Sequence, residues 1–573
     1  MTYKDYAEEI EAFASVENPP AQTPDAGGAS DAEAAPEAAI RIGRVVAVEG
    51  SQVIVLLEIF ETPAASESPE SPGQANALQI GALVKIRTPE TMVFGMVCGL
   101  SIPIPSQSSE DREMRIVELE LVGEAMNNDE QAAVVFRRGV SFCPALGEGV
   151  YATTLEDLKQ VYAKPDAACA RVGTIYQDQS LPAFVAIDDL LGKHFAVLGT
   201  TGSGKSCAVA TMLRSILDQH RDGHILLLDL HNEYGHAFRD CAEVLGPGNL
   251  KLPYWLLNFD ELQETLIDRH DNREADLTIL KDAVTHARQT FHKGDADGPY
   301  FGADSPVPYR MSDVIQRVEE SLGRLERPTD SAPYLRLRER INTFQSDKRF
   351  DFMFQEGLTV KDTMVDVLSQ LFRIPANGKP ITILDLSEIP SDIMNVVISL
   401  VCRLTFDFAL WADRSVPILL VCEEAHRYAG QNSGQRFEPT QRTLSKIARE
   451  GRKYGVSIGL VSQRPSELPV GILSQCNTIF AMRTSNQKDQ EFVRATLSDS
   501  GRGLINSLPS LRTGETIAIG EGIPVPVRFC FDYLPEDHRP HSGTACFSGA
   551  WKDGGKDKGF VAEVVARWRN QHR

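Results

Sequence analysis

Eight consecutive residues, Gly199 to Ser206 (GTTGSGKS), follow the apolar run FAVL at 195–198 and precede a stretch in which Ala208, Met212 and Ile216 recur at helical spacing. A strand that passes into a helix through such a loop narrows the possible folds sharply. Its glycines let successive backbone N–H groups turn towards one point, and the helix N-terminus adds partial positive charge there. Such a cradle takes a polyphosphate. Gly199, Thr200, Thr201, Gly202, Ser203, Gly204, Lys205, Ser206 and Cys207 are the candidate phosphate-contacting residues. Lys205 is placed to reach the β- and γ-phosphates of ATP or GTP, and Ser206 to ligate magnesium.

Apolar strands and helices alternate around this loop. HILLLDL (224–230), ITILDLS (381–387), VPILLVCEE (416–424), VSIGLVSQ (456–463) and NTIFAMRT (477–484) are separated by helical segments near 204–219, 391–412 and 439–453. Strands apolar on both faces predict a parallel sheet covered on both sides, an α/β fold. The stretch between Asp229 and Ile381 is too long for one crossover, and runs such as YLRLRERINTF predict a mainly helical insertion over about 262–378. Upstream the pattern changes. IRIGRVVAVEGSQVIVLLEIF, LQIGALVKIRT, TMVFGMVCGL and MRIVELELVG are short alternating runs divided by Gly, Ser and Pro, which predicts a small β-barrel or sandwich. Residues 19–38 are rich in Ala, Pro, Gly and acid and cannot bury enough apolar surface to fold, and 64–77 form a low-complexity loop. The expected organisation is an acidic tail over 1–38, a barrel over 39–165, a nucleotide-binding α/β domain over 175–535 and a C-terminal tail over 536–573.

VPILLVCEEAH (416–426) ends in two acids at the carboxyl edge of its strand, where ligands sit in such sheets. Paired buried carboxylates repel and cost desolvation, which a divalent cation offsets. Glu423 is the candidate to hold magnesium through water, and Glu424 to orient and polarise an attacking water. Asp229 and Glu233, in LLLDLHNEY, end a core strand beside the phosphate loop, and Gln463, in VSQRP, stands where an amide can sense a γ-phosphate. Each could instead bond a turn or cap a helix. KIAREGRKYG (446–455) is densely basic, and Arg449 and Arg452 are candidates to neutralise developing phosphate charge from a neighbouring subunit. A solvated helix face or contacts to DNA phosphates are the alternatives.

With 58 Lys and Arg against 79 Asp and Glu, the net charge of -21 excludes a uniformly basic DNA-coating protein. The ten cysteines include no C-x-x-C pair, so neither a zinc knuckle nor a disulfide framework is suggested, and a reducing compartment fits. Residues 1–18 lack the basic start and apolar stretch of a secretion signal. The apolar stretch Ile393 to Cys402 is interrupted by Asn395 and Ser399 and closed by Arg403, short of the roughly 20 residues that span a bilayer. The expectation is a cytoplasmic protein without a membrane partner.

In order, GTTGSGKS, D-x-H-x-E-Y, EEAH, EGRKYG and SQRPSELP, after an N-terminal barrel, resemble the HerA family of hexameric DNA translocases within the wider HerA and FtsK group of P-loop ATPases. The resemblance runs from about residue 40 to about 530 and includes FRRGVSFCPALGEGV, ILDLSEIPSDIMNVV and LPSLRTGETIAIGEGIPVPV. It implies a RecA-like P-loop ATPase core with a mainly helical insertion, preceded by a small N-terminal β-barrel. It further implies ATP and Mg2+ at the subunit interfaces of a homohexameric ring, and double-stranded DNA in the channel, gripped without regard to sequence. A NurA-like nuclease, or a defence effector such as a sirtuin-like protein, would dock on the ring. Residue by residue, Lys205 and Ser206 match the phosphate and magnesium residues, Glu424 the catalytic carboxylate and Gln463 the sensor. Arg452, or else Arg449, matches the arginine supplied in trans. The C-terminal tail would brace the adjacent subunit. Leu230 and Asn232 stand where the D-P-H-G-E-Y motif usually has Pro and Gly, so the turn there is built from different residues. Candidates for a basic collar around DNA are Arg436, Arg442, Lys348 and Arg349. A ring of this type could alternatively serve as a nucleotide-bound scaffold for an effector, with little processive translocation.

Overall fold

The computed structural model describes residues 40–58, 78–102, 115–126, 135–268, 273–291, 301–324, 331–355, 361–430, 438–496, 502–541, 547–552 and 556–570. The expected acidic tail, the loop at 64–77 and Arg436 lie outside the described residues.

Seven strands open the chain: β1 (Arg41–Glu49), β2 (Gln52–Leu57), β3 (Leu83–Arg87), β4 (Thr91–Ser101), β5 (Ile116–Met126), β6 (Val135–Arg138) and β7 (Gly149–Ala152). They pair antiparallel in the order β2-β1-β7-β3-β4-β5, and pairing of β2 with β5 closes the ring, leaving β6 attached outside to β5. Closure selects barrel over sandwich and removes the edges an open sheet would expose. Alternation along the strands turns Val45, Val53, Val55, Val84, Ile86, Val93 and Val117 inward as one apolar cluster. A short helix, Leu155–Val161, follows β7. Thr154 and Asp157 close its start as a reciprocal cap, and Asp157 also takes Lys85 of β3, fixing helix to barrel.

The second sheet has eleven strands: β8 (Cys169–Ile175), β9 (Pro182–Ala186), β10 (Phe195–Leu198), β11 (His224–Asp229), β12 (Ala242–Leu245), β13 (Ile381–Asp385), β14 (Ile418–Cys422), β15 (Val456–Ser462), β16 (Thr478–Met482), β17 (Glu515–Gly520) and β18 (Val527–Phe531). Their order is β12-β13-β11-β14-β15-β10-β16-β17-β18-β8-β9. From β12 to β16 every pairing is parallel, and β10, β13, β14, β15 and β16 are buried along their whole length. Six strands of that half are those the apolar runs predicted, and β12 is an additional one. The other half differs, since β17, β18, β8 and β9 extend the sheet antiparallel. A short turn joins β17 to β18, and a connection of that length returns a strand only in the opposite direction.

Helices expected near 204–219, 391–412 and 439–453 occupy Lys205–Leu217, Ser391–Trp411 and Glu438–Tyr454. The second is longer than its interrupted apolar stretch suggested. Ile393–Trp411 is long and apolar enough to cross a membrane, yet most of it is buried in the protein, where Arg403 binds Glu261. Between β12 and β13 the chain forms helices at Phe259–Leu266, Arg273–Phe291, Met311–Gly323, Ala332–Ser346 and Met364–Phe372. Two arginines fasten this helical region. Arg403 forks onto Glu261 with Nη2 at 2.9 Å and Nε at 3.1 Å, and the fully buried Arg288 donates to the carbonyls of Gly302, Trp255 and Leu257.

Candidate active site at the carboxyl edge of the parallel strands

Parallel register brings the polar ends of four strands together. Leu198 lies opposite Ser462, Cys422 opposite Leu460, and Leu228 opposite Cys422, so the residues that follow β10, β11, β14 and β15 emerge at one edge. The strand β15, which Gln463 directly follows, lies between β10 and β14. Gln463 therefore emerges between the phosphate loop and the two acids.

The loop after β10 has the backbone that its glycines permit. Gly202 and Gly204 lie at φ +75° and +99°, conformations that side chains rarely adopt, and a methyl group on Gly199 would stand 2.8 Å from Ser203 Oγ. Neighbouring strands hold the loop. The carbonyl of Arg483, just past β16, accepts from the Thr200 N–H at 2.9 Å, while the Arg483 side chain and Thr513 Oγ1 both donate to the Gly202 carbonyl at 3.2 Å. Lys205 Nζ donates to the Thr200 carbonyl at 3.3 Å, and Cys207 follows in the first turn of the helix that Lys205 opens.

Ser206 Oγ donates to Glu233 Oε2 at 2.8 Å, which sets Glu233 beside the loop as the sequence suggested. Asp229 is fully buried and does what the structural alternative required: its carboxylate accepts from the backbone of His231 at 3.2 Å and of Tyr234 at 2.9 Å, shaping the turn after β11. Burial pushes its pKa up against those backbone bonds, which favour the charged form. Asn232 supplies what the usual glycine would, with φ at +55°. Tyr234 then donates its hydroxyl to Glu423 Oε2 at 2.7 Å.

The two acids differ in environment. Glu423 is almost wholly buried, and desolvation drives its pKa well up, with Glu424 adding to the shift and Tyr234 and Lys205 opposing it. Burial also pushes Glu424 up, but His426, Lys205 and the backbone of Gln463 outweigh it and hold its carboxyl below the usual range. His426 Nδ1 stands 3.1 Å from Glu424 Oε2. Glu424 adopts φ +48°, a left-handed backbone that costs a non-glycine residue on the order of 1–3 kcal/mol and is typical of positions held for function. Gln463 Oε1 accepts from Thr201 Oγ1, tying this side chain to the phosphate loop.

Arg449 and Arg452 are not part of this cluster. They sit on the last turns of Glu438–Tyr454, just before β15 begins, whereas the site lies where β15 ends, and seven strand residues span roughly 20 Å. Arg449 Nε donates to the Ser445 carbonyl, and Arg452 lines a cleft of about 730 Å³ at the opposite sheet edge with His224, Ile418 and Val456. Of the collar candidates, Arg442 is paired with Glu438 and Arg349 with Asp347, so their charge is partly neutralised, while Lys348 is exposed. Tyr234, Arg483, Thr513, His426 and Ser462 also contact the site, although no motif assigns them a role. The signal for His426 was its place in EEAH, and for Ser462 its place before the sensor.

A phosphate loop on a parallel sheet, with two acids and the Gln463 amide at the same edge, defines a P-loop ATPase with a RecA-like core. Residues 170–405 match the family described as Helicase HerA, central domain, and the chain is similar to curated HerA helicases over most of its length. It is 24% identical over 517 residues to the DNA double-strand break repair helicase HerA of Pyrococcus furiosus, covering 80% of this chain and 86% of that one. With the protein of the same description from Saccharolobus solfataricus it shares 27% over 379 residues, 65% of this chain and 69% of the relative. Among solved structures it is similar to VirB4 of Thermoanaerobacter pseudethanolicus, with a TM-score of 0.47, 14% identity, and coverage of 66% of this chain and 99% of that one.

Proposed function

We propose that the protein is an ATP-driven double-stranded DNA translocase or helicase that works as a homohexameric ring. The observation that carries this reading is the convergence of Lys205, Ser206, Glu233, Glu423, Glu424 and Gln463 on one strand edge, in a chain whose relatives are named as DNA double-strand break repair helicases. In this reading the backbone amides of Gly202 to Ser206 and Lys205 bind the phosphates of ATP, and Glu424, ionised at neutral pH, accepts a proton from the attacking water. Gln463, bonded to Thr201, registers whether the γ-phosphate is present.

The donor set fits magnesium. A serine hydroxyl and buried carboxylates are hard oxygen ligands, and Mg2+ bound with a nucleotide takes only one or two protein carboxylates alongside phosphates and water. Ser206 and Glu423 would hold it, and the ion would supply charge neutralisation for the departing phosphate.

Arg452, or Arg449, would complete the site of the next subunit, since neither reaches its own. The exposed helix Lys558–Asn570, with Val561 and Trp568 facing outward, suits the bracing role expected of the C-terminal tail. The ring would feed a NurA-like nuclease or a defence effector such as a sirtuin-like protein. A decisive assay measures ATP turnover with and without double-stranded DNA, together with displacement of a triplex-forming strand. Stimulation by DNA of any sequence and displacement that needs ATP are expected. Turnover indifferent to DNA, with the third strand left in place, would favour the effector scaffold.

A further inference from the structure

We infer that His426 is a positioning residue for Glu424, and that Ser462 couples this contact to the sensor strand. The inference rests on the reading of Glu424 as the group that activates water. His426 opens the short helix His426–Ala429, immediately past the acids, and its Nδ1 faces two oxygens at once: Glu424 Oε2 at 3.1 Å and Ser462 Oγ at 3.2 Å. All three residues are buried, with Ser462 fully enclosed.

The protonation state follows from the partners. An ionised carboxylate has only lone pairs to offer, so the proton at the His426–Glu424 contact belongs to Nδ1. Nδ1, 3.1 Å from Oε2, restrains that oxygen by charge, while its hydrogen bond is to Ser462 Oγ. Without that contact, Glu424 can rotate about its side-chain bonds, and a base displaced by about 1 Å loses much of its effect.

Ser462 makes the contact responsive to the phosphate loop. Its carbonyl accepts from the Gly199 N–H at 3.2 Å, and its hydroxyl oxygen accepts from the Arg464 N–H at 3.1 Å, so it bridges the first residue of the loop and the segment that carries Gln463. The neighbouring carbonyl of Val461 accepts from the Ala425 N–H at 3.0 Å, locking the backbone between Glu424 and His426 to the same strand. A displacement of Gln463 or Gly199 on nucleotide binding is thereby transmitted through Ser462 and His426 to the carboxylate.

The test is steady-state ATP turnover by the full chain, with nucleotide affinity read separately from a fluorescent ATP analogue. His426→Ala should lower kcat by about tenfold or more while KM and analogue affinity stay within about twofold. His426→Asn, whose amide can donate near the position of Nδ1, should regain most of the loss. Ser462→Ala should show a smaller fall in kcat, again without loss of affinity. In a Glu424→Gln background, adding His426→Ala should cost nothing further. The proposal is overturned if His426→Ala turns over normally, if its kcat falls only in step with nucleotide affinity, if Asn does no better than Ala, or if the two changes multiply. Wild-type turnover by Glu424→Gln alone would instead remove the catalytic assignment of Glu424, a result distinguishable from all of these.

Discussion

Asn232 shows how one residue can depart from a motif and keep its geometry. The turn after β11 needs a left-handed backbone, which glycine adopts freely and asparagine tolerates better than other side chains. Replacing Asn232 with Gly should leave thermal stability and turnover near wild type, whereas Asn232→Val should cost about 1–2 kcal/mol and lower the midpoint in a melting experiment. His194 makes a second residue-scale prediction. The Ile458 N–H donates to its Nδ1 at 3.0 Å, so Nδ1 must be bare and the proton sits on Nε2, which donates to the Ala448 carbonyl at 3.1 Å. Burial holds its pKa below the ordinary histidine value of 6.5. Between those two pKa values the unfolded chain binds a proton that the folded one refuses, so the stabilising contribution is present above about pH 6.5 and is lost as the pH falls through that window. Melting curves across that range should slope less for His194→Gln than for the wild type.

Among the elements, the phosphate loop rests on a tight contact between β10 and β15. A methyl group on Gly459 would stand 2.5 Å from Cζ of Phe195, directly across the parallel register. Gly459→Ala should therefore destabilise the protein by about 1–3 kcal/mol through overpacking, measurable by chemical denaturation. The helical region is tied in by the pair of Arg403 and Glu261. Arg403→Met alone strands a buried carboxylate and should cost about 3–5 kcal/mol, while a double replacement by apolar residues should recover most of it. What could be read from the sequence divides along similar lines. The five apolar runs, the phosphate loop and the acid pair are contiguous signals, each complete within about ten residues, and the folded chain brings them to one edge. The strands β8, β9, β12, β17 and β18 fall outside those runs: β8 joins the sheet through β18, more than 300 residues away, and β9 begins with Pro182. His426 and Ser462 were hidden because their proximity depends on the register of β14 against β15 rather than on spacing within either.

At the scale of the whole molecule, a single chain gathers Lys205, Ser206, Glu423, Glu424 and Gln463 at one sheet edge and leaves Arg449 and Arg452 away from it. The helix Glu438–Tyr454 carries Arg452 to the sheet edge opposite the site, which separates the donor of charge from the nucleotide it would serve within any single chain. Two such chains placed side by side solve this if the lower edge of one approaches the upper edge of the next. Mixing makes the geometry testable. Lys205→Ala protomers lack a usable phosphate site but retain Arg452, and Arg452→Ala protomers have the reverse defect. Each alone should lose nearly all turnover, while a mixture assembled together should regain a fraction, because some interfaces unite an intact Lys205 with an intact Arg452. Repeating the mixture with Arg449→Ala in place of Arg452→Ala identifies which arginine acts in trans. Failure of both mixtures to recover activity, in particles that still assemble, would place the neutralising charge within the same chain, and Arg483, already bonded to the phosphate loop at Gly202, would then be the residue to change next.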